Sequence, residues 1–323
     1  MITIDKYNLE DLQEWDQFVS TSNNGTIFQK QQFINYHISR KFIDHSLVIK
    51  KNNNMVAVLP AAICDNILYS HPGSSYGGIV LSANVDFQTI HDIICSIDEY
   101  CYSQKFKSLF LINSPCVYQK KIDQSLDYLL NWNNYKSKEV YISHVVDLGN
   151  ASTLLSLLKK RKRRYINNNI ELNSLSFNES NNFDAFYEIL LASKKKYQTK
   201  PTHSLEELYG LQALFPKEIK LIETKKEGEI IGGSLLFFAN TDVSLVFYNT
   251  ILDQYRKSQI AMLQLYKCME VSQKNGYKMV DFGVSHTPEQ EDPMAPKFSL
   301  IRFKEQFDAR GVLRIAYQKE YGV

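Results

Sequence analysis

The sequence predicts an α/β (α+β) chain of two tandem domains, each a mixed, mostly antiparallel sheet flanked by helices. Three observations point there. At 323 residues the chain is longer than one hydrophobic core ordinarily organises. Hydrophobic residues make up 44% and aromatic residues 12%, enough to build cores and too much for a disordered chain. The third is a single order of elements, strands, loop, helix and return strand, which can be traced twice along the chain.

Leu9 to Thr21 reads as a helix capped by Asn8, with Leu12, Trp15 and Phe18 on one face. SNNG ends it, and FQKQQFINYHISR reads as a second helix. HSLVIKK and MVAVLPAAI read as strands about the polar turn NNN, and NILYS as a third. HPGSSYGGIVL is too rich in Gly and Ser for regular structure and reads as a loop. A helix over about Asp86–Gln104 leads to the strand SLFLIN. In the second half ASTLLSLLKKRKRRY reads as an amphipathic helix, with Ser152 as cap and Leu154, Leu155, Leu158 and Tyr165 near one face. IKLIETKK and IIGGSLLFF are strands joined by EGE, and VSLVFYN is another. A helix over about Gln259–Lys274, stopped by Gly276, and the strand YKMVDFG close the repeat. Leu47 aligns with Leu221, Asn54 with Gly228 and Phe106 with Tyr277 at a near-constant offset. Letter similarity is weak, but order and spacing agree. The expectation is an internal duplication, with two unrelated α/β units as the alternative. The domains are placed at 1–147 and 148–310, and the strand in 311–323, RIAYQKEY, is expected to return to the first.

Lys plus Arg number 37 against 35 Asp plus Glu, a net charge of +2, which excludes a dedicated DNA coater. The six consecutive cations Lys159–Arg164 are therefore a local feature. Five cysteines without a C-x-x-C pair and seven scattered histidines argue against a structural zinc site; no metal is expected. Cys64, Cys95 and Cys268 sit among apolar residues and read as buried, reduced thiols of a cytosolic protein. The N-terminus lacks a signal-peptide pattern, and no apolar run approaches the ~20 residues of a spanning helix.

The stretches NGTIFQ, SHPGSSYGG, KKRKRRYI, KPTHS, YKMVDFGVS and LIRFKEQFDARG carry a resemblance that spans nearly the whole chain. Each is loose alone; the last, with Phe303-Lys304-Glu305, Phe307 and Arg310-Gly311, is the most telling. Together they resemble two GNAT-superfamily acyltransferase domains in tandem, as in the Fem family of bacterial aminoacyltransferases. The likeness is greater to Fem-like acyltransferases of cell-envelope polysaccharide clusters, since no long heptad insertion interrupts the chain. The resemblance implies an N-acyltransferase with GNAT-like domains, the first on the acceptor side and the second on the donor side. Acyl-CoA would be the co-substrate, with aminoacyl-tRNA as the alternative. The acceptor would be the amine of a nucleotide- or lipid-linked amino sugar or another envelope precursor, held in a groove between the domains. It further implies a cytoplasmic protein, or one at the inner face of the membrane. The GNAT pyrophosphate loop, Arg/Gln-x-x-Gly-x-Gly/Ala, finds its nearest match in Arg256-Lys257-Ser258-Gln259-Ile260-Ala261, with Gln259 replacing the first glycine.

Acyl transfer to an amine needs a deprotonated nitrogen, a carbonyl close to it and stabilisation of the oxyanion. Arg256, Lys257, Ser258 and Gln259 lie between a strand and a helix, where free N–H groups and the helix dipole favour phosphates; a solvated loop is the alternative. Phe303 is grouped with them as donor-binding. In the basic run, Lys159, Lys160, Arg161 and Arg164 admit four readings: an inert solvated face, contacts to donor phosphates or RNA, a polybasic patch at a membrane, or a nuclear localisation signal. Lys304 is a candidate for oxyanion or phosphate stabilisation, against an exposed pair with Glu305. Asp281, where the GNAT strand is expected to splay from its neighbour, is a candidate base or amine-orienting group, against a buried Asp satisfied by backbone. His203 is a candidate base or hydrogen-bond donor, against a surface or capping His. His71, Ser74, Ser75, Tyr76, Gly77 and Gly78 form a candidate acceptor loop, against a simple turn. HTPEQEDPMAPKF reads as a lid or an inert loop. A non-catalytic RNA- or membrane-binding module built on the basic helix is the rival to an enzyme.

Overall fold

The structure is a computed structural model that describes residues 1–38, 40–149, 151–169, 175–196, 198–286 and 291–322. The chain divides into two compact units, Met1–Tyr141 with Val312–Val323, and Ile142–Gly311.

In the first unit β1 (Ile2–Lys6) pairs antiparallel with β3 (Leu47–Lys51), β3 with β4 (Asn54–Leu59), and β4 with β7 (Val80–Leu81). A second strand row runs from β2 (Ile43–Asp44) through β5 (Ala62–Cys64) and β6 (Ile67–Tyr69) to β8 (Ser108–Ile112). The β6–β8 pair is parallel, which requires a crossover, and α3 (Phe87–Ser103) supplies it. Asp86 caps α3 through Thr89 N–H, and Ile90, Ile93, Ile94 and Ile97 bury its apolar face against Leu47, Ile49, Leu109 and Leu111. Two hairpins turn on residue pairs with positive φ, Asn52-Asn53 and Asp65-Asn66, as tight primed turns demand.

Helix α1 (Leu12–Thr21) is as expected, but the second predicted helix is reduced to a 3₁₀ turn, Ile27–Gln29, and α2 (Gln31–Ile34). Trp15 Nε1 donates to Gln29 O at 2.8 Å, and Lys30 is extended, so the segment cannot wind through. Helix α4 (Ser125–Trp132) packs on α3. Cys64 is exposed at the end of β5, and Cys95 is only half-buried, correcting their assignment to the core; Cys268 is buried as expected.

The second unit repeats the order. The sheet runs β10 (Leu175–Ser180), β11 (Ile219–Lys226), β12 (Glu229–Phe238), β13 (Val243–Ile251), β14 (Met279–Val284). Ser143–Asp147, the second half of β9 (Lys136–Asp147), pairs antiparallel with β14. The pairs are antiparallel except β13–β14, bridged by the crossover helix α8 (Ile260–Lys274). Glu227-Gly228 again forms a positive-φ hairpin turn. Met262, Leu263, Leu265, Cys268 and Met269 pack α8 on Leu236, Val246 and Val280. Helix α6 (Asp184–Lys195) contacts β12 and β13, and α7 (Leu205–Leu214) contacts β11.

The basic run does not continue a helix begun at Ser152. Thr153 caps a 3₁₀ turn, Leu154–Leu157; Leu158 is extended and buried; and α5 (Lys160–Asn169) starts afresh. Lys159 N–H on Gln306 O, 3.2 Å, fastens the break. The last helix, α9 (Phe298–Lys304), precedes β15 (Arg310–Glu320), which pairs antiparallel with β8 in the first unit.

Candidate active site in the second unit

The site begins with a failure of strand pairing. β13 and β14 are bonded only at Val243–Met279, Ser244–Val280 and Leu245–Asp281, although β13 runs on to Ile251. Beyond Leu245 the backbone of β13 has no partner in β14. Two irregularities sit at this fork. β12 and β13 slip register between Leu235 and Leu236, leaving Phe247 as the extra residue. β14 bulges against β9 between Asp281 and Val284, with Gly283 at φ +74. Glycine suits that left-handed backbone.

Asp281 is fully buried and holds the bulge. Its Oδ1 accepts from Gly283 N–H at 2.7 Å and from Ser143 Oγ at 2.5 Å. Lys304 reaches the same bulge from α9. Its ammonium donates to Gly283 O at 2.6 Å, Val284 O at 3.1 Å and Ser285 Oγ at 2.9 Å. Only 4% of the residue is exposed, which rules out an exposed pair with Glu305. Burial pulls its pKa down to about 8, opposed by the Asp281 carboxylate. Ser285 Oγ lies 3.1 Å from His144 Nδ1, and both residues are buried. Burial first, and then the Lys304 charge, lower the pKa of His144, against Glu305 and Asp281, which raise it. Ser143, His144 and Ser285 were not singled out in the sequence. YISHVVD and DFGVSH read as ordinary strand text, and only a polar pair set against apolar alternation hints at them.

The second part is a cavity of about 630 Å³ lined by Lys159, Arg161, Lys162, Arg256, Gln259, Ala261, Met262, Arg302, Phe303, Glu305 and Gln306. It sets five cations against one carboxylate. The structure thus brings together the start of the basic run, the pyrophosphate-loop segment and Phe303, three groups far apart in sequence. Arg302 and Phe303 face this cavity, while the adjacent Lys304 enters the buried network. Lys160, Arg164, Lys257 and Ser258 are exposed and are not among the lining residues.

Gln259 is the N-cap of α8 and adopts φ 59, ψ 16, the left-handed conformation glycine would favour there. The backbone keeps a glycine-loop geometry despite the substitution. Two side chains of α5 brace it: Lys162 donates to Gln259 Oε1, and Tyr165 OH donates to Ser258 O. Burial, helped by Arg161, lowers the Lys162 pKa.

His203 is placed elsewhere in the unit. It is buried in an aromatic box of Phe237, Phe247 and Tyr248, with Nδ1 3.2 Å from Tyr248 OH. It packs edge-on against Phe247, the extra residue of the β13 bulge.

In the first unit the predicted acceptor loop is tightly packed. Ser74 Oγ donates to Phe28 O and Tyr76 O, Tyr76 is buried, and Gln29 Nε2 donates to Gly77 O at 2.5 Å. A Cβ on Gly77 would lie 2.0 Å from Ser70 O, so chain packing alone requires that glycine. Gly78 has φ +66 and faces Asn113. His71 is buried, and burial with nearby His37 lowers its pKa to about 4; among the described residues its Nδ1 has no side-chain hydrogen-bond partner. Ser75 is half-exposed. Of the predicted lid, residues 287–290 lie outside the described residues; its base is closed by a bridge between His286 and Pro296.

Among the described residues no helix is long and apolar enough to cross a membrane, and no group of three or more His, Cys, Asp or Glu is placed to hold a metal ion.

The second unit thus combines a sheet that forks between parallel strands with a crossover helix that begins at a cation-lined loop. Residues 158–291 match the acetyltransferase (GNAT) domain family. The whole chain has the fold of Fem-type and tandem-GNAT proteins. It superposes on FemX with a TM-score of 0.74, at 12% identity and 98% coverage of both chains. A tandem GNAT protein from the clavulanic acid biosynthesis pathway gives 0.59 at 9% identity, with 99% of this chain and 98% of that one covered. L-PGS from Bacillus licheniformis gives 0.58 at 12% identity, with 98% and 92% covered. No curated protein matches the sequence.

Proposed function

We propose that this protein transfers an acyl group from a phosphate-bearing carrier to the amine of an amino sugar or another cell-envelope precursor. One observation carries the reading: a cavity with five cations opens at the N-terminus of α8, beside a residue held in the left-handed conformation of a pyrophosphate loop. Oriented N–H groups and arginine forks are the usual means of holding phosphate. The volume of about 630 Å³ falls in the range of nucleotide-sized ligands.

From that cavity the carrier arm would run into the fork. The β13 backbone beyond Leu245 offers free hydrogen-bonding groups to an extended chain, as a sheet edge does to an added strand. The acyl carbonyl would then lie at the bulges of Phe247 and Gly283. The buried Lys304 ammonium sets a positive potential there, favouring the oxyanion formed when the amine attacks. Asp281 holds Gly283 in place and so shapes the opening. Attack is direct, without an acyl-enzyme.

Acyl-CoA is the first donor reading; the AcCoA named with the tandem GNAT protein supports it. Aminoacyl-tRNA is the second, favoured by exposed cations on α5 beyond the cavity, Lys160, Arg163 and Arg164, placed to follow a longer phosphate chain. Native mass spectrometry of freshly purified protein tests the donor class through a retained CoA thioester. Transfer from acetyl-CoA that resists RNase treatment excludes the tRNA route. RNA binding with a steep salt dependence and no turnover with either donor would instead leave only a binding module.

A further inference from the structure

We infer that Phe87, Tyr128 and Trp132 form a platform on the first unit that binds a chain of amino sugars. The choice of amino sugars over other cationic ligands rests on the acyl-transfer reading; the platform itself is a property of the surface.

Large apolar side chains exposed one by one are ordinary on a protein surface. These three are exposed together. Phe87 opens α3 and is 51% exposed; Tyr128 and Trp132, one turn apart on α4, are 58% and 68% exposed. The ring centroids of Phe87 and Tyr128 lie 6.1 Å apart and those of Tyr128 and Trp132 6.4 Å, and the planes of the latter two differ by 13°. The rings therefore make a row longer than a single sugar ring, carried by two packed helices rather than by a loop. The core is built without them. Ile90, Ile93, Ile94 and Ile97 of α3 and Leu126, Leu129 and Leu130 of α4 supply the buried faces.

Charge selects the occupant. Residues 82–104 and 122–135, which include both helices, hold six Asp and Glu and no Lys or Arg. Lys51 and Lys319 reach α3 from other strands, but each is engaged there, on Thr89 at 2.7 Å and on Asp98 at 2.6 Å. An anionic lipid surface or a nucleic acid is held by clustered cations, and this surface offers the reverse. A two-fold dimer through the same patch would set carboxylates against carboxylates. Aromatic faces beside carboxylates suit a ligand that is cationic and has apolar faces of its own. An amino-sugar chain has both: C–H groups on its ring faces to stack on the aromatics, and ammonium and hydroxyl groups at the rim. Polar side chains stand where that rim would fall. Asp86 precedes Phe87, and Gln88 follows it and donates to Asp92 at 2.8 Å. Gln124 and Asn131 are exposed about one turn either side of Tyr128.

Fluorescence reads the platform directly, because the chain has two tryptophans and Trp15 is fully buried. The full-length protein is titrated with the hexamer of glucosamine. The expected result is a saturable change in Trp132 emission. Binding measured by isothermal titration should weaken about tenfold or more in a Tyr128→Ala, Trp132→Ala double variant. An Asp86→Asn, Asp92→Asn variant, which keeps a capping side chain at the start of α3, should weaken it as well. An unchanged melting temperature shows that the variants fold. No binding by the wild type, binding that the ring variant retains, or an affinity untouched by the charge variant overturns the proposal. So does light scattering that finds a dimer in the wild type and a monomer in the ring variant. Tighter capture by phosphatidylglycerol vesicles or polyadenylate RNA, lost in the ring variant, would overturn it too. Hexamer binding without acyl transfer from any donor counts against the acyl-transfer reading alone. Acyl transfer without hexamer binding counts against the platform alone.

Discussion

At the scale of single residues, the buried cation is the most exposed point of the account. The Lys304 pKa is lowered to about 8 from an ordinary 10.5. Between those values the unfolded chain binds a proton that the folded protein does not, so this group makes stability rise with pH. Below about 8 it contributes a constant penalty. Lys304→Met should therefore flatten the rise measured by urea unfolding between about pH 8 and 10; an unchanged slope contradicts the burial argument. The histidines of the first unit act at the acid end. His45 and His71 both have pKa values lowered to about 4 by burial, so stability should fall as pH drops from 6.5 toward 4. Gln259 is a third residue-scale case. Its left-handed backbone costs roughly 1–2 kcal/mol, while glycine there costs roughly 0.5–1 kcal/mol in chain entropy. Gln259→Gly should thus be neutral to slightly stabilising by denaturant midpoint, and a loss above about 1 kcal/mol would show that the Lys162 contact outweighs the strain.

At the scale of elements, the C-terminal strand shows how one carboxylate organises a unit. Asp98 on α3 accepts from Tyr135 OH at 2.6 Å, Tyr321 OH at 2.9 Å and Lys319 Nζ at 2.6 Å. Tyr135 is 1% exposed. Asp98→Ala leaves a buried phenol and an ammonium without their acceptor, and should destabilise the first unit by about 3 kcal/mol, read as an earlier transition in thermal unfolding. Elements were also where the sequence was most readable. Two hairpins could be read because NNN and EGE place turn formers between apolar alternations, and α3 and α8 because their apolar periodicity is long and flanked by clear stops. FQKQQFINYHISR misled because its helical spacing is local, whereas the bond from Trp15 to Gln29 O and the extended Lys30 are tertiary. The break at Leu158 was hidden for the same reason, since its bonding partner at Gln306 lies far along the chain.

At the scale of the whole molecule, the two units share a parallel pair bridged by a helix, β6–β8 by α3 and β13–β14 by α8, which is the plan the aligned positions implied. The functional groups were only partly legible. LIRFKEQF and the Arg256–Ala261 segment stand out by composition and order, and they meet at one cavity. His144 and Ser285 meet Lys304 only through register, because nothing in a strand's own letters says which bulge it will face. The basic run is divided in place: Lys159, Arg161 and Lys162 line the cavity, while Lys160 and Arg164 stand outside it.

The central claim is that this cavity holds the phosphates of the acyl carrier. It is tested most directly by isothermal titration with coenzyme A and with aminoacyl-tRNA, on the wild type and on an Arg256→Glu, Arg302→Glu double variant. The account predicts one-to-one binding of one carrier by the wild type, weakened at least tenfold in the variant and declining with salt. Wild-type protein that binds neither carrier, or a variant that binds as tightly as the wild type, would contradict it.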